Sequence, residues 1–256
     1  MIKRFNSFSP SVSDPAHYLI RPYDDYTPVI LLFSTRFIKK NSYDGYLDKT
    51  EFIINHSDIN HIREVIALDY ILRSARYLAG EMLSKVVRPG DAVVDATMGN
   101  GHDTLFLCRA VGPEGRVYAF DIQQQAVTST EALLRANYVS GSASLFCVGH
   151  ENMDQFVPEK VRAIVFNLGW LPGGDHSMTT RWETTRTAVI KALDLLMPGG
   201  MLVLCAYPGH NEGCRERDGL VSLFSSLCNR TFNVLHQRFL NASVGAPECF
   251  AVQRMA

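Results

Sequence analysis

Two stretches of this chain carry side chains of the kind that hold a small group and pass it on. Asp95-Ala96-Thr97-Met98-Gly99-Asn100-Gly101-His102-Asp103-Thr104 sets two acids around a pair of spaced glycines. Gly99 and Gly101 permit a tight turn and let a ligand approach the backbone. A helix that starts at Asp103 or Thr104 points its free N–H groups at the same place. Thr97, Asn100 and Thr104 add hydroxyl and amide groups to that loop. The second stretch is Asn167-Leu168-Gly169-Trp170-Leu171-Pro172-Gly173-Gly174-Asp175-His176. An Asn carbonyl accepts a hydrogen bond from an amine and aims the nitrogen lone pair, and an aromatic ring three residues on can stack on a base. The alternative for Trp170 is a core aromatic under the loop. Gly173-Gly174 make a backbone-exposing turn suited to a large substrate.

Other residues fill in the ends of the proposed crevice. Asp121 stands twenty residues beyond Gly101, where an acid can accept hydrogen bonds from both hydroxyls of an adenosine ribose. Thr104 replaces the third glycine of a dinucleotide fingerprint, and Asp103 puts a negative charge where a diphosphate would be repelled. The cationic sulfonium and amino acid of S-adenosylmethionine suit that charge, so the methyl donor is favoured over NAD. Gly149-His150-Glu151-Asn152 lies near where an adenine ring would rest, and either offers it a polar partner or caps a helix. Tyr207-Pro208-Gly209-His210 reaches the same crevice edge, with Tyr207 and His210 as substrate contacts. An alkylamine must lose a proton before it attacks, and Asp175, His176 and His210 are the candidate acceptors. Thr179 or Thr180 is the expected cap of the helix after this loop.

These residues need a scaffold that brings strand ends together. Strand candidates are Ala92–Asp95, Val117–Phe120, Ser144–Val148, Ala163–Phe166 and Met201–Ala206. Helical segments at 103–111, 124–138, 151–157, 180–197 and 213–228 alternate with them, which predicts a parallel sheet covered on both faces. Phe232–Leu240 and Cys249–Arg254 follow without a helix between them, an antiparallel pair that closes one edge. The expected fold is α/β, a doubly wound, Rossmann-like, mostly parallel seven-stranded sheet with an antiparallel edge strand. Its ligand crevice lies at the carboxyl ends of the strands. Apolar residues from Ile62 to Met82 recur at helical spacing, so 60–86 is expected to form one or two helices. Residues 1–60 form an N-terminal extension or small subdomain, with short strands expected at Tyr26–Ile38 and Glu51–Ile54, and 61–256 form the main domain.

Composition narrows the class further. The 256 residues are 46% apolar and 20% charged, which excludes a wholly disordered or coiled-coil chain. A net charge of −1 carries no bulk signal for nucleic acid, so an RNA site must be a local patch. The six cysteines form no CxxC pair and no zinc pattern, which points to free thiols, no structural metal and a reducing, cytoplasmic setting. No run is long enough to span a membrane. The first thirteen residues carry Lys3, Arg4 and several serines without an acid, so a short organelle import segment stays open, although Asp14, Asp24 and Asp25 soon break the pattern.

Taken together, DATMGNGHDT at 95–104, FDIQ at 120–123, His150-Glu151, NLGWLPGGD at 167–175 and YPGH at 207–210 resemble the MnmM-type tRNA methyltransferases, also labelled rRNA methylases. The resemblance spans about residues 65–254 and leaves out the first sixty. It implies a class I fold that uses S-adenosylmethionine. It also implies methylation of the primary amine of 5-aminomethyl-2-thiouridine at the tRNA wobble position, with tRNA as partner; the sequence leaves a homodimer open. By the same resemblance Asn100, Asp103, Asp121, Gln123 and His150 line the cofactor; the loops themselves add Thr97, Gly99, Gly101, Thr104, Glu151 and Asn167 as expected cofactor contacts. Asn167 stands at the reacting end, and Trp170, Gly173, Gly174, Tyr207 and His210 meet the substrate. Trp170 replaces the family's usual Tyr and loses its hydroxyl, and His176 stands where Lys is common. Competing readings are a methyltransferase acting on rRNA or on a small-molecule amine, and a non-enzymatic RNA-binding module on the same fold.

Overall fold

The computed structural model describes residues 17–20, 29–32, 74–175 and 177–255. The chain divides into two units, Met1–Val65 and Ile66–Ala256. In the first, strands β1 (His17–Ile20) and β2 (Val29–Leu32) pair antiparallel, with His17 opposite Leu32. The expected strand at Glu51–Ile54 and the first part of the 60–86 helix lie outside the described residues.

The second unit opens with helix α1 (Ala75–Val86), whose N-cap Ser74 accepts a hydrogen bond from the Tyr77 amide at 3.2 Å. Five parallel strands follow: β3 (Ala92–Asp95), β4 (Arg116–Asp121), β5 (Ala143–Cys147), β6 (Val161–Asn167) and β7 (Leu196–Ala206). Helices α2 (His102–Val111), α3 (Gln124–Ala136), α4 (Trp182–Leu195) and α5 (Asn211–Ser225) come between and after them. Strands β8 (Phe232–Gln237) and β9 (Glu248–Arg254) complete a seven-stranded sheet of order β5-β4-β3-β6-β7-β9-β8. The antiparallel pair closes one edge as the sequence predicts. The reversed strand is β9, which pairs antiparallel with both β7 and β8, so β8 at the rim runs in the common direction.

Alternation along each strand sorts its side chains onto two faces. Val93, Val117, Ala163, Val165 and Val203 face α1, α2 and α3, which contribute Ala75, Ala79, Leu83, Leu107, Val111 and Leu134. Val94, Phe120, Ile164, Phe166, Leu202 and Leu204 face α4 and α5, which contribute Ala188, Val189, Ala192, Leu220 and Phe224. The helices earn their places by spacing: α4 buries Thr185, Ala188, Val189, Ala192 and Leu193, a stripe at intervals of three and four.

Three local expectations change. The segment expected as a helix at 151–157 is a 3-10 turn, His150–Gln155, too short to make a full α-helical stack. Strand β7 begins at Leu196 rather than Met201, because Pro198, Gly199 and Gly200 form an irregularity within it that shifts the register against β6 between Val161 and Ala163. Neither Thr179 nor Thr180 caps α4. Arg181 occupies the cap position without a side-chain bond, and a carboxylate from α5, Glu212, accepts from the Trp182 amide at 2.9 Å.

Candidate functional site

Strand order reverses beside β3, whose neighbours are β4 on one side and β6 on the other. At such a switch point the loops leaving adjacent strands diverge and open a crevice. Asp95, Asp121 and Asn167 are the last residues of β3, β4 and β6, so the sheet itself gathers three of the sequence-predicted elements at one edge.

The glycine loop is held from both sides. The Asp121 carboxylate accepts from the Gly99 amide at 3.1 Å and from the Gln123 amide at 2.9 Å. Burial pushes its pKa up, against the opposing pull of these amides. Gly101 takes φ +83°, and a Cβ there would lie 2.9 Å from Thr130 Cα, so only glycine fits the close pass of loop and α3. The Thr130 hydroxyl donates to the Gly99 carbonyl at 3.1 Å. Asn100 donates to the Pro172 carbonyl at 3.3 Å and so joins this loop to the one after β6.

Under the loop lies a wholly buried carboxylate. Asp95 accepts from the Thr104 hydroxyl at 2.6 Å and from the Thr97 amide at 3.2 Å. Burial, followed by the neighbouring charge of Asp103, raises its pKa to about 7. Thr104 thus faces inward and serves Asp95, and its contribution to the crevice is the start of α2. The Thr97 hydroxyl accepts from the Asn167 amide N–H at 2.7 Å. The Asn167 side-chain Nδ2 donates to Asp103, whose other oxygen accepts from Arg76 at 2.9 Å. Asn167 Oδ1 is buried with no hydrogen-bond partner among the described residues.

At the adenine end expected for the crevice, His150 is buried against Phe166 with ring centroids 5.6 Å apart. Its Nδ1 lies 3.3 Å from the Ala96 carbonyl, which only accepts, so Nδ1 carries the proton and Nε2 presents a lone pair. Burial lowers its pKa and keeps the ring neutral. Glu151 curls its carboxylate over Gly149, and its backbone carbonyl accepts from Lys191 at 2.6 Å.

The loop after β6 is a built structure. Gly169 takes φ +113°; its N–H donates to the Thr180 hydroxyl at 2.8 Å, and its carbonyl accepts from the Thr180 N–H at 3.0 Å. Thr180 and Thr185 both donate to Glu216, which is wholly enclosed and pushed up to about 7 by burial. Trp170 is part-exposed and lies 4.7 Å from the His210 ring. Gly173 and Gly174 form the turn closed by Gly174 N–H donating to the Leu171 carbonyl at 2.8 Å. Asp175 is exposed and accepts from the Ser177 amide at 2.8 Å, while His176 lies outside the described residues. Tyr207 is half-buried against the α1 side of the core. His210 accepts from the Gly213 amide at 3.1 Å as the N-cap of α5. That bond occupies the Nδ1 lone pair, so neutral His210 has no free basic nitrogen and drops out as a proton acceptor.

Arg76, Thr130 and Glu216 hold the loops of the site without a signal in the sequence. Each lies in a helix at least twenty-five residues from the group it holds, and no local motif marks it. Among the described residues no three His, Cys, Asp or Glu side chains cluster as metal ligands, the six cysteines are free thiols, and no helix is long and apolar enough to cross a membrane.

This strand order, with a glycine loop, an acid at the second strand's end and an Asn at the fourth's, is a class I methyltransferase architecture. Residues 117–253 match the model of the family described as "Putative rRNA methylase", and the chain belongs to that family. A curated relative, the chloroplastic tRNA (mnm(5)s(2)U34)-methyltransferase of Arabidopsis thaliana, is 41% identical over 166 residues, 60% of each chain. This chain therefore spans about 60% of the length of that curated relative. A solved structure described as a "putative rRNA-methylase" from Clostridium thermocellum is 35% identical, with a TM-score of 0.71 over 73% of this chain and 100% of that one. A Streptococcus mutans protein described as a "putative methyltransferase", solved with SAH, is 33% identical, with a TM-score of 0.67 over 72% of this chain and 100% of that one.

Proposed function

We propose that this protein is an S-adenosylmethionine-dependent methyltransferase that methylates the primary amine of 5-aminomethyl-2-thiouridine at the tRNA wobble position. The observation that carries the reading is Asn167: a part-buried amide at the switch point, clamped at Nδ2 by Asp103, whose buried carbonyl oxygen has no hydrogen-bond partner among the described residues. A buried acceptor without a donor is costly unless a ligand supplies one. An amine N–H is such a donor. The names of the Arabidopsis and Streptococcus relatives, a tRNA wobble methyltransferase and a SAH-bound methyltransferase, point to the same chemistry.

The crevice fits the methyl donor by its own chemistry. Asp121 keeps lone pairs beyond those used by Gly99 and Gln123 and suits the ribose hydroxyls; the Nε2 of neutral His150 suits an amine on adenine; and Gly99, Asn100 and Gly101 give close backbone approach. When bound, S-adenosylmethionine supplies an electrophilic methyl carbon that leaves its sulfur for an amine nitrogen, with S-adenosylhomocysteine as product. The protein's part is alignment. Asn167 Oδ1 accepts one substrate N–H and turns the nitrogen lone pair toward the methyl carbon. Trp170 offers its exposed ring to the wobble base, with His210 behind it and Gly173-Gly174 opening the loop. The amine's surplus proton passes through water to Asp175, which stands exposed on that loop.

The test uses purified protein, S-adenosylmethionine and tRNA that carries 5-aminomethyl-2-thiouridine, read by nucleoside mass spectrometry. The expected result is the 5-methylaminomethyl nucleoside, with rRNA unmodified. An unchanged wobble nucleoside alongside methylated rRNA would overturn the substrate assignment.

A further inference from the structure

Asn167 can serve an amine only with its amide turned one way round. The two ends of the amide are nearly the same size, and the backbone of β6, held by Thr97, does not choose between them. Asp103 makes the choice. A carboxylate accepts and does not donate, so it takes Nδ2 and leaves Oδ1 on the opposite side. Asp103 is in turn held by Arg76 of α1, whose Nη2 lies 2.9 Å from Oδ1, the oxygen that Asn167 does not use. The chain Arg76–Asp103–Asn167 lines one groove of about 470 Å3, together with Tyr77, His102 and Phe106.

We propose that Arg76 is a positioning residue: through Asp103 it fixes the Asn167 amide with its carbonyl presented to the reacting amine. The inference rests on the methyl-transfer reading above. Arg76 keeps about half of its side-chain surface exposed, so the ion pair contributes little to stability, and its value lies in the geometry it imposes. Without it, the Asp103 side chain loses the contact that holds it against Asn167 and swings away, and the released amide can turn its N–H groups toward the substrate nitrogen, where they compete for the attacking lone pair.

The experiment compares Arg76→Ala and Arg76→Lys with wild type by two readouts. In nitrogen-15-labelled protein, the Asn167 side-chain amide signals, assigned by their loss in Asn167→Ala, should move in Arg76→Ala and return toward their wild-type place in Arg76→Lys. In turnover, kcat should fall by up to about 100-fold in Arg76→Ala and recover in part in Arg76→Lys. The affinity for S-adenosylhomocysteine should stay within about twofold and the melting temperature should hold. Asn167 amide signals that stay in place in Arg76→Ala overturn the proposal. So does a loss of kcat/KM that comes wholly from weaker cofactor binding. The amide readout needs no turnover: if wild type fails to methylate the tRNA, the substrate assignment falls and the amide signals still decide the role of Arg76.

Discussion

Asn167 and Asp121 end neighbouring halves of one sheet, and in the proposed reaction their side chains divide the work of the site. Asn167→Ala should lower kcat by about 100- to 1000-fold, because one oriented acceptor at the reacting atom is lost. Its dissociation constant for S-adenosylhomocysteine, read by calorimetry, should hardly change; a variant turning over at the wild-type rate would remove Asn167 from the mechanism. Asp121→Ala should do the reverse and weaken cofactor binding by about 10- to 100-fold, the worth of hydrogen bonds to a charged group. An undiminished affinity would refute the ribose contact. Both residues were legible in the sequence, because each follows an apolar strand and precedes a loop. The partners that set them were not. Arg76 precedes Asp103 by 27 residues, and α1 meets the sheet through its buried Ala75, Ala79 and Leu83, the two alanines letting the helix approach.

Helix α5 works as an anchor for the loop proposed to receive the substrate. Its Glu216 holds Thr180, which holds Gly169, while Glu212 caps α4 and Gly219 makes room for Trp182. A Cβ at Gly219 would sit 2.4 Å from the indole, so Gly219→Ala should cost about 1–3 kcal/mol in urea unfolding through overpacking. Glu216 makes stability depend on pH. Its pKa is raised to about 7 in the folded state, so folding binds a proton that the unfolded chain releases. This stability is complete below the ordinary carboxylate range and is lost as the pH climbs through about 7. Glu216→Gln removes that dependence. Between pH 5 and 8 its melting temperature should fall less than that of wild type; parallel curves would show that Glu216 carries no such shift. The pattern of α4 and α5 could be read from apolar spacing. Their mutual contact could not, because it depends on a glycine facing a tryptophan across 37 positions.

Among the described residues, the loops at the carboxyl edge of the sheet meet one another, through the Asn100–Pro172 hydrogen bond and the close pass of Gly209 and Gly245. A ligand that fills the crevice should therefore stabilise the fold by mass action, about 2.7 kcal/mol at a hundredfold excess over its dissociation constant. S-adenosylhomocysteine should raise the melting temperature in proportion to the logarithm of its concentration, and NAD should leave it unmoved; the opposite pattern would return the crevice to the dinucleotides.

Strand and helix identity, their alternation, the glycine turn and the residues at strand ends came from the sequence, since hydrophobic period and turn chemistry are local properties. So did the resemblance that led to this family. The chain's folding alone decided which strand reversed at the edge, that 150–155 coils as a 3-10 turn, and that His210 caps a helix. It also decided which end of the Asn167 amide is left free. Those outcomes depend on which groups meet after long loops close, and a hydrogen bond between residues 27 or 64 positions apart leaves no periodic trace in the chain that makes it.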